Sequence, residues 1–358
     1  MRSKLLITGT YNQEYPRNKA LIESLGEVFE VTENNFSTSA NKIFILKNLI
    51  LNGNKYDYIL FLQTSQKLAF LLFFYRLFFK PKKIKLIFDA FISIYDTYIF
   101  DRALANRFSV KALYYYLLDY FSCLSSDIII FDTNLHRDYF IEKFHIKERV
   151  KKIVIPISID LDFVDKINPS VENIFDPKKC NVLFFGLYIP LQGVEYIIKA
   201  ADILREQKDM QFILIGNGQT RKKIDQLYRD LNLDNIIFID RIENSKIISY
   251  IKLSSFCLGI FGNTNKAKRV IANKVLECLA CKKIVVTGRN RAIELYLEDK
   301  KDLIYCEMAD AKDLAEKIKY VSNNLEALNN LGENGRRKIE QYFSKHALVK
   351  QIKIEFSL

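Results

Sequence analysis

The chain has 358 residues, 49% of them hydrophobic, with only 12 Gly and 6 Pro. That length fits two domains, and the composition excludes collagen-like, proline-rich and wholly disordered chains. Lys and Arg number 54 against 42 Asp and Glu, a net charge of +12, while 3 His and 6 scattered Cys argue against an obvious metal enzyme.

The N-terminus, MRSKLLITGTYNQEYP, has no long apolar segment and no small-residue cleavage site. No secretory signal is expected, and the spacing of the cysteines gives no disulfide framework, so a reducing cytoplasmic home is the simplest one. KLLITGTY predicts a buried strand running into a turn at Gly9, where the backbone can approach a ligand closely. Tyr11 and Arg17 follow in a loop and are candidates for acceptor contact. A helix is expected at 19–25, then strands at EVFEVT and at 55–63. The run LAFLLFFYRLFF, residues 68–79, is too short to span a bilayer and carries Arg76. Lys80, Lys82, Lys83 and Lys85 follow it. Two readings stand here: a buried helix before a solvated turn, or a segment lying on an anionic membrane surface.

Residues 84–90, IKLIFDA, predict a buried strand ending in Asp89. A carboxylate there can orient a hydroxyl or steady positive charge; a turn cap is the competing role. Asp96 is a weaker candidate of the same kind. A helical region at 102–122, a strand at 126–133, a helix at 136–143 and a strand at 151–158 complete the half. His136 opens one of those helices and competes between cleft and surface; His145 and His346 read as structural. Apolar strands alternating with helices predict parallel α/β layers.

Residues 168–179, with two Pro among polar residues, read as a linker. The expected domains are therefore 1–167, the probable acceptor side in this reading, and 180–340, with 341–358 as a C-terminal helix crossing back. The second half repeats the grammar: strands at 180–186, 210–218 and 235–240, then FCLGIFG, KKIVVTG and DLIYCE, with helices between them. Cys278 and Cys281 form a CxxC at an expected helix start, with no second pair to complete a zinc site. Two facing domains imply a cleft, with ligands beyond the C-terminal strand ends.

No GxGxxG, P-loop, GxSxG, HExxH or EF-hand is present, which removes the commonest dehydrogenase, NTPase and hydrolase readings. The charge divides as +5 on residues 1–170 and +7 on the rest, without a basic tail, so nucleic acid has only net charge in its favour. The segment FGNTNKAKRVIANKVLECLACKKIVVTG, residues 261–288, carries a sharper signal. Lys266, Lys268 and Arg269 precede a helix start that offers free N–H groups to an anion. Lys274 adds charge and Glu277 lies on the same helical face. Cations there can hold a diphosphate, and the carboxylate can accept from ribose hydroxyls. An ordinary capped helix with a surface ion pair is the alternative.

The second half resembles the nucleotide-sugar-binding domain of the retaining GT-B glycosyltransferases of family GT4, the group 1 type. The stretches that carry the resemblance are FFGLYIPLQGVEYIIKAADIL, FILIGNGQTRKKIDQL, NIIFIDRIENSKIISYI, KIVVTG and GENGRRKIEQYFS. In the first half, SDIIIFDTNLHRDYF and KIVIPISIDLDF are similar to the family's last two strand units. The resemblance implies a GT-B fold, two Rossmann-like α/β/α domains facing across a central cleft. It implies a retaining hexosyl- or related transferase that moves sugar from a nucleoside diphosphate sugar, with UDP or GDP, to an acceptor hydroxyl. Family positions map a nucleotide-sugar site onto Gly9, Gly186, Gln192, Gly216, Arg241, Ile242, Arg269, Val270, Lys274 and Glu277, and the chemistry onto Asp89, Arg269 and Lys274. No metal and no permanently bound cofactor is implied. The family's diphosphate-binding Arg and Lys are replaced by Leu187 and Gln192, and Arg269 stands in the first place of the Glu-x7-Glu pair whose second place is Glu277. Arg269 and Lys274 are therefore expected to supply the missing charge. The acceptor would be a saccharide or lipid-linked molecule of the cell envelope, reached from the cytoplasm or the inner face of its membrane. The alternatives are a catalytically silent GT-B binding or scaffolding subunit, and a nucleotide-sugar epimerase or hydrolase.

Overall fold

The computed structural model describes residues 2–36, 41–169 and 174–357, which divide into two compact units. The first runs β1 (Lys4–Gly9), α1 (Pro16–Gly26), β2 (Glu30–Asn35), α2 (Lys42–Asn52), β3 (Tyr58–Phe61), α3 (Ala69–Phe78), β4 (Lys85–Asp89), α4 (Val110–Ser125), β5 (Ile128–Phe131), α5 (Asn134–Phe144) and β6 (Lys151–Val154). Its six strands are all parallel, in the order β2-β1-β3-β4-β5-β6. Successive side chains alternate across a strand, so each apolar run feeds two cores. Leu5, Ile7, Leu60, Ile87 and Ile130 pack on one face with Leu21 and Leu25 of α1. Leu6, Ile59, Phe61 and Leu86 pack on the other with Ile45 and Leu49 of α2 and Leu72 and Tyr75 of α3. Phe88, Ile129 and Phe131 extend that second face under α4 and α5, through Ala112, Cys123, Phe140 and Phe144.

Three local readings change. Helix α1 starts at Pro16, whose fixed φ suits a first helical turn, so Arg17 lies in a helix and not in a loop. The helical region expected at 102–122 begins only at Val110, where the Ser109 hydroxyl accepts the Ala112 N–H at 3.2 Å; residues Asp96–Asp101 before it form a separate π-helical turn. Helix α2 had no counterpart in the sequence reading.

The second unit runs α6 (Leu161–Lys166), β7 (Cys180–Phe185), α7 (Val194–Ile203), β8 (Met210–Ile215), α8 (Arg221–Asp230), β9 (Ile236–Ile239), α9 (Asn244–Leu253), β10 (Phe256–Leu258), α10 (Asn273–Ala280), β11 (Val285–Gly288), α11 (Arg291–Glu294), β12 (Ile304–Cys306), α12 (Ala311–Asn323) and α13 (Asn329–Tyr342). Its sheet is again parallel and six-stranded, ordered β12-β11-β10-β7-β8-β9. The winding direction reverses between β7 and β10, and that reversal opens a crevice at the strands' C-terminal ends. Cys278 and Cys281 sit at the C-terminal end of α10, not at a helix start.

The final helix, α14 (Lys345–Phe356), belongs to the first unit, where Leu348, Val349, Ile352 and Phe356 join the core beneath α1. The division at its other end falls between Ser158 and Ile159, ahead of the position 167/168 read from the sequence. Helix α6 explains the difference. Asp165 forms a two-pronged pair with Arg336 of α13, at 2.9 and 2.7 Å, and the same guanidinium donates to the Ala280 carbonyl at 2.6 Å. The Ile159 N–H also donates to the Phe343 carbonyl at 2.7 Å. Residues 170–173 of the expected linker lie outside the described residues.

If α14 is part of the first unit's core, Ile352→Ala will destabilise that unit. Ile352 is fully buried, so the expected loss is about 2–5 kcal/mol, read as a lower urea midpoint for the first unit's transition.

Candidate functional site

Two loops flank the crevice of the second unit. One leaves β7 at Gly186 and reaches α7 through Gly193. The other leaves β10 and reaches α10. Glycines let these loops pack backbone on backbone. A β-carbon at Gly216 would lie 1.9 Å from the Gly186 carbonyl oxygen, and one at Gly193 would lie 2.5 Å from the Gly262 nitrogen. Gly193 has φ +65° and Gly216 φ +135°, conformations that favour glycine as well. Hydrogen bonds complete the frame: Phe261 N–H to the Gln192 carbonyl at 3.1 Å, Tyr188 N–H to the Asn217 carbonyl at 3.0 Å and Gly186 N–H to the Ile215 carbonyl at 3.0 Å.

Lys274 enters this frame from the first turn of α10. Val275, Leu276, Cys278, Leu279 and Ala280 are all buried, which fixes the rotation of the helix. Helical side chains lean toward the N-terminus, so Lys274 leans over the helix start and toward the end of β7. A β-carbon on Gly186 would lie 2.9 Å from Lys274 Nζ and 3.8 Å from Gln192 Cδ, so both side chains converge on Gly186. Lys274 is buried, and its Nζ has no hydrogen-bond partner. It lies 3.5 Å from the centre of the Phe184 ring, a cation–π contact that offers no acceptor. Gln192 Oε1 and Asn273 Oδ1 are likewise buried without partners, and no side chain caps the N-terminus of α10.

Burial pushes the Lys274 ammonium well below the ordinary lysine range, with Glu277 and Cys278 opposing the shift. Burial pushes the Glu277 carboxyl up to about 7, against the pull of Lys274. A cation that is buried without an acceptor is costly unless an anion completes it. The crevice thus brings the Lys274 amine and the Gln192 amide together at one glycine, beside a helix whose start no side chain caps, a donor set suited to a phosphate.

The other expected residues fall as follows. Arg269 and Val270 lie half-buried in the loop before α10; Val270 packs with Leu191, Ile260 and Ala267. Arg241 is exposed and Ile242 half-buried in the turn after β9. The Gly216 carbonyl accepts from Arg221 at 3.2 Å, and its open face is filled by Gly186, so the close approach there is the chain's own. At Gly9 a β-carbon would lie 2.1 Å from Ser65 Oγ. Asn273 was missed, although its place at the first position of the helix before Lys274 was a usable signal.

In the first unit Asp89 ends β4 fully buried, paired with the buried Arg17 at 3.3 Å. Arg17 also donates to the carbonyls of Ile155 and Pro156 at 2.9 and 2.7 Å, so it ties β4 to the loop after β6. Burial raises the Asp89 pKa and Arg17 opposes it. Asp89 Oδ1 accepts from Arg17, and its Oδ2 is buried without a partner. Tyr11, also nearly buried, donates to Glu33 at 3.1 Å. Beside Asp89, Asp132 holds His136 Nδ1 at 2.7 Å, and His136 Nε2 is buried without a partner. Asp132 went unread, though Ile-Phe-Asp closes both β4 and β5 and marks two adjacent strand ends. Asp96 is buried, and its N–H donates to Ser93. Among the described residues, no group of three or more His, Cys, Asp or Glu is placed to hold a metal ion.

Comparison with known proteins bears on the fold and on the second unit's relations. Residues 166–338 match the family model "Glycosyl transferases group 1". An uncharacterized glycosyltransferase of Methanocaldococcus jannaschii is 30% identical over 154 residues, which span 43% of this chain and 41% of that relative. Among solved structures, HepE of Anabaena in complex with UDP and glucose aligns at TM-score 0.74 and 15% identity, over 99% of this chain and 100% of that one. A sucrose-phosphate synthase of Thermosynechococcus elongatus aligns at TM-score 0.73 and 13% identity, over 99% and 98% of the two chains. The chain has the GT-B fold of two Rossmann-like α/β/α units, and its second half is related to the group 1 glycosyl transferases.

The electrostatics generate a test that needs no sugar. A bound diphosphate stabilises the Lys274 ammonium and raises its pKa, so binding takes up protons. At mildly alkaline pH, where Glu277 is already ionised, calorimetry of inorganic pyrophosphate in two buffers of different ionisation enthalpy should show net proton uptake. Affinity should fall as pH rises, and Lys274→Met should abolish the uptake.

Proposed function

We propose that the chain is a retaining glycosyltransferase of the GT4 type, moving a sugar from a nucleoside diphosphate sugar to an acceptor hydroxyl. The observation that carries the reading is the buried, unpartnered Lys274 Nζ beside Gly186, at the crevice of the unit that matches the family model. The full-length likeness to HepE bound to UDP and glucose supports UDP as the donor nucleotide. GDP is the alternative base. The acceptor is a saccharide or a lipid-linked molecule of envelope polysaccharide, lipopolysaccharide or glycolipid synthesis.

Each residue then has a task. Lys274 and the N–H groups of α10 neutralise the donor diphosphate, in place of the cations lost at Leu187 and Gln192, and Gln192 donates its amide N–H groups. Arg269 adds a second cation from the loop before α10. Glu277 accepts from the ribose hydroxyls, and Arg241 with Ile242 flanks the base. The bond from the anomeric carbon to the phosphate oxygen breaks and a bond to the acceptor oxygen forms on the same face. The departing phosphate oxygen takes the acceptor's proton, so the chain supplies charge stabilisation and no separate base. Arg17, held by Asp89, acts as a positioning residue for the strand ends of the first unit.

A panel of UDP- and GDP-sugars, each with saccharide and lipid-linked acceptors, tests the proposal by mass spectrometry of the products. The expected result is one donor consumed, with NMR showing that the product keeps the donor's anomeric configuration. Lys274→Met should lower kcat by about 100-fold or more, the cost of losing one charge-stabilising group. Donor binding without turnover across the panel would identify a silent binding subunit. Sugar release to water alone would identify a hydrolase, and an altered nucleotide sugar an epimerase.

A further inference from the structure

Helices α2, α3 and α4 lie side by side on one face of the first unit's sheet. Leu72 and Tyr75 of α3 share a core with Ile45 and Leu49 of α2, and Phe70 and Phe73 of α3 meet Phe121 of α4 at 5.1 and 4.9 Å. A helix that covers a sheet ordinarily turns its polar side to water. These helices do not. Ile43, Phe44, Ile50 and Leu51 of α2 are exposed, as are Phe74, Leu77 and Phe78 of α3 and Val110, Leu113 and Tyr114 of α4. Phe79, Leu104 and Phe108 continue the same exposure in the adjoining loops, Phe108 at 83%. Phe74 and Phe78, one helical turn apart, stack on each other at 6.2 Å in the open.

The charge on this segment is one-sided. Residues 41–126 contain 12 Lys and Arg and 5 acidic residues, all Asp. Asp89, Asp96, Asp101 and Asp119 are buried, which leaves Asp57 as the one exposed acid of the segment. Lys42, Lys47, Lys55, Lys67, Lys82, Lys83, Lys85, Arg107 and Lys111 are all exposed. The wider net charge of +12 is spread over both halves, so this local absence of acids is not a dilution of the whole.

We infer that the outer face of α2, α3 and the start of α4 docks on the surface of an anionic lipid bilayer, with the exposed Phe, Leu and Ile side chains entering the acyl boundary and the lysines meeting the head groups. Charge complementarity selects this occupant. Exposed apolar groups alone would suit many partners, but a segment whose exposed charges are nine cations and one acid, bordered by Asp127 in its pairs with Arg76 and Lys80, disfavours a second copy of itself and favours an anionic plane. Nucleic acid would match the charge but not the open phenylalanines and leucines, which have no aromatic stacking order along a groove. Among the described residues no helix is long and apolar enough to cross a membrane, so the docking is on the surface, in the manner of an interfacial amphipathic helix. The inference stands on the first unit alone and is independent of the donor site.

Co-sedimentation of the full chain with vesicles tests it. Vesicles of equimolar phosphatidylglycerol and phosphatidylcholine should bind the protein, phosphatidylcholine alone should not, and binding should weaken as salt is raised. Phe74→Ser/Phe78→Ser should reduce the partition at least tenfold, and Lys82→Glu/Lys83→Glu should reduce it by about fivefold or more per lysine replaced. All four side chains are exposed, so an unchanged urea midpoint certifies the fold, and pyrophosphate binding at Lys274 should remain native in every variant. Failure of the native chain to bind the anionic vesicles, equal binding to neutral ones, or native partition of both variants would overturn the inference. Self-association in solution that the Phe74→Ser/Phe78→Ser change abolishes would overturn it in favour of a contact between copies.

Discussion

A lysine side chain held out of water without an acceptor is among the less favourable arrangements a folded chain can keep, because burial disfavours its charged form. Lys274 is held this way, and the surrounding structure leaves it no escape. The apolar residues after it lock α10 onto the sheet, the helical lean of side chains points it to the end of β7, and Gly186 leaves room for its head. The glycines at 193, 216 and 262 let the neighbouring loops pack backbone on backbone, and Nζ lies against the Phe184 ring. A stability-driven design would have filled this place with an apolar side chain. Retaining a cation makes physical sense when an anion arrives to complete it.

The two units solve the same problem differently. Each ends its sheet at a reversal of winding, between β1 and β3 in the first and between β7 and β10 in the second. In the second unit the strand-end charge is open. In the first, Arg17 pairs with Asp89 and Asp132 with His136, while Asp89 Oδ2, Arg17 Nε and His136 Nε2 stay buried without partners. The open site gives the second unit its affinity for a diphosphate. The first unit's remaining unusual feature is on its helical face, where exposed apolar side chains and lysines replace the usual polar coat.

Most of the fold was legible because buried parallel strands are written as short apolar runs between turn residues, and each such run in the sequence became a strand. Helix α2 was not legible, since KIFILKNLILN exposes Ile43, Phe44 and Leu51 and so lacks the one-sided pattern that marks a helix. The unit boundary was misplaced because α6 is held by Arg336, 171 residues further on, a partner no local pattern names. At the site, Lys274 and Gln192 could be picked out from motif position, yet their convergence on Gly186 could not. Asp89 was noticed as a strand-end carboxylate, but its partner Arg17 lies 72 residues away, a pairing that exists only in three dimensions.

The central claim is that Lys274 reads the diphosphate of a nucleotide and nothing else of it. The direct measurement is the ratio of affinities for UDP and for uridine, in the native chain and in Lys274→Met. The native chain should prefer UDP by a large factor, and the substitution should collapse that preference while uridine binding stays the same. An undiminished preference for UDP in Lys274→Met would contradict the claim.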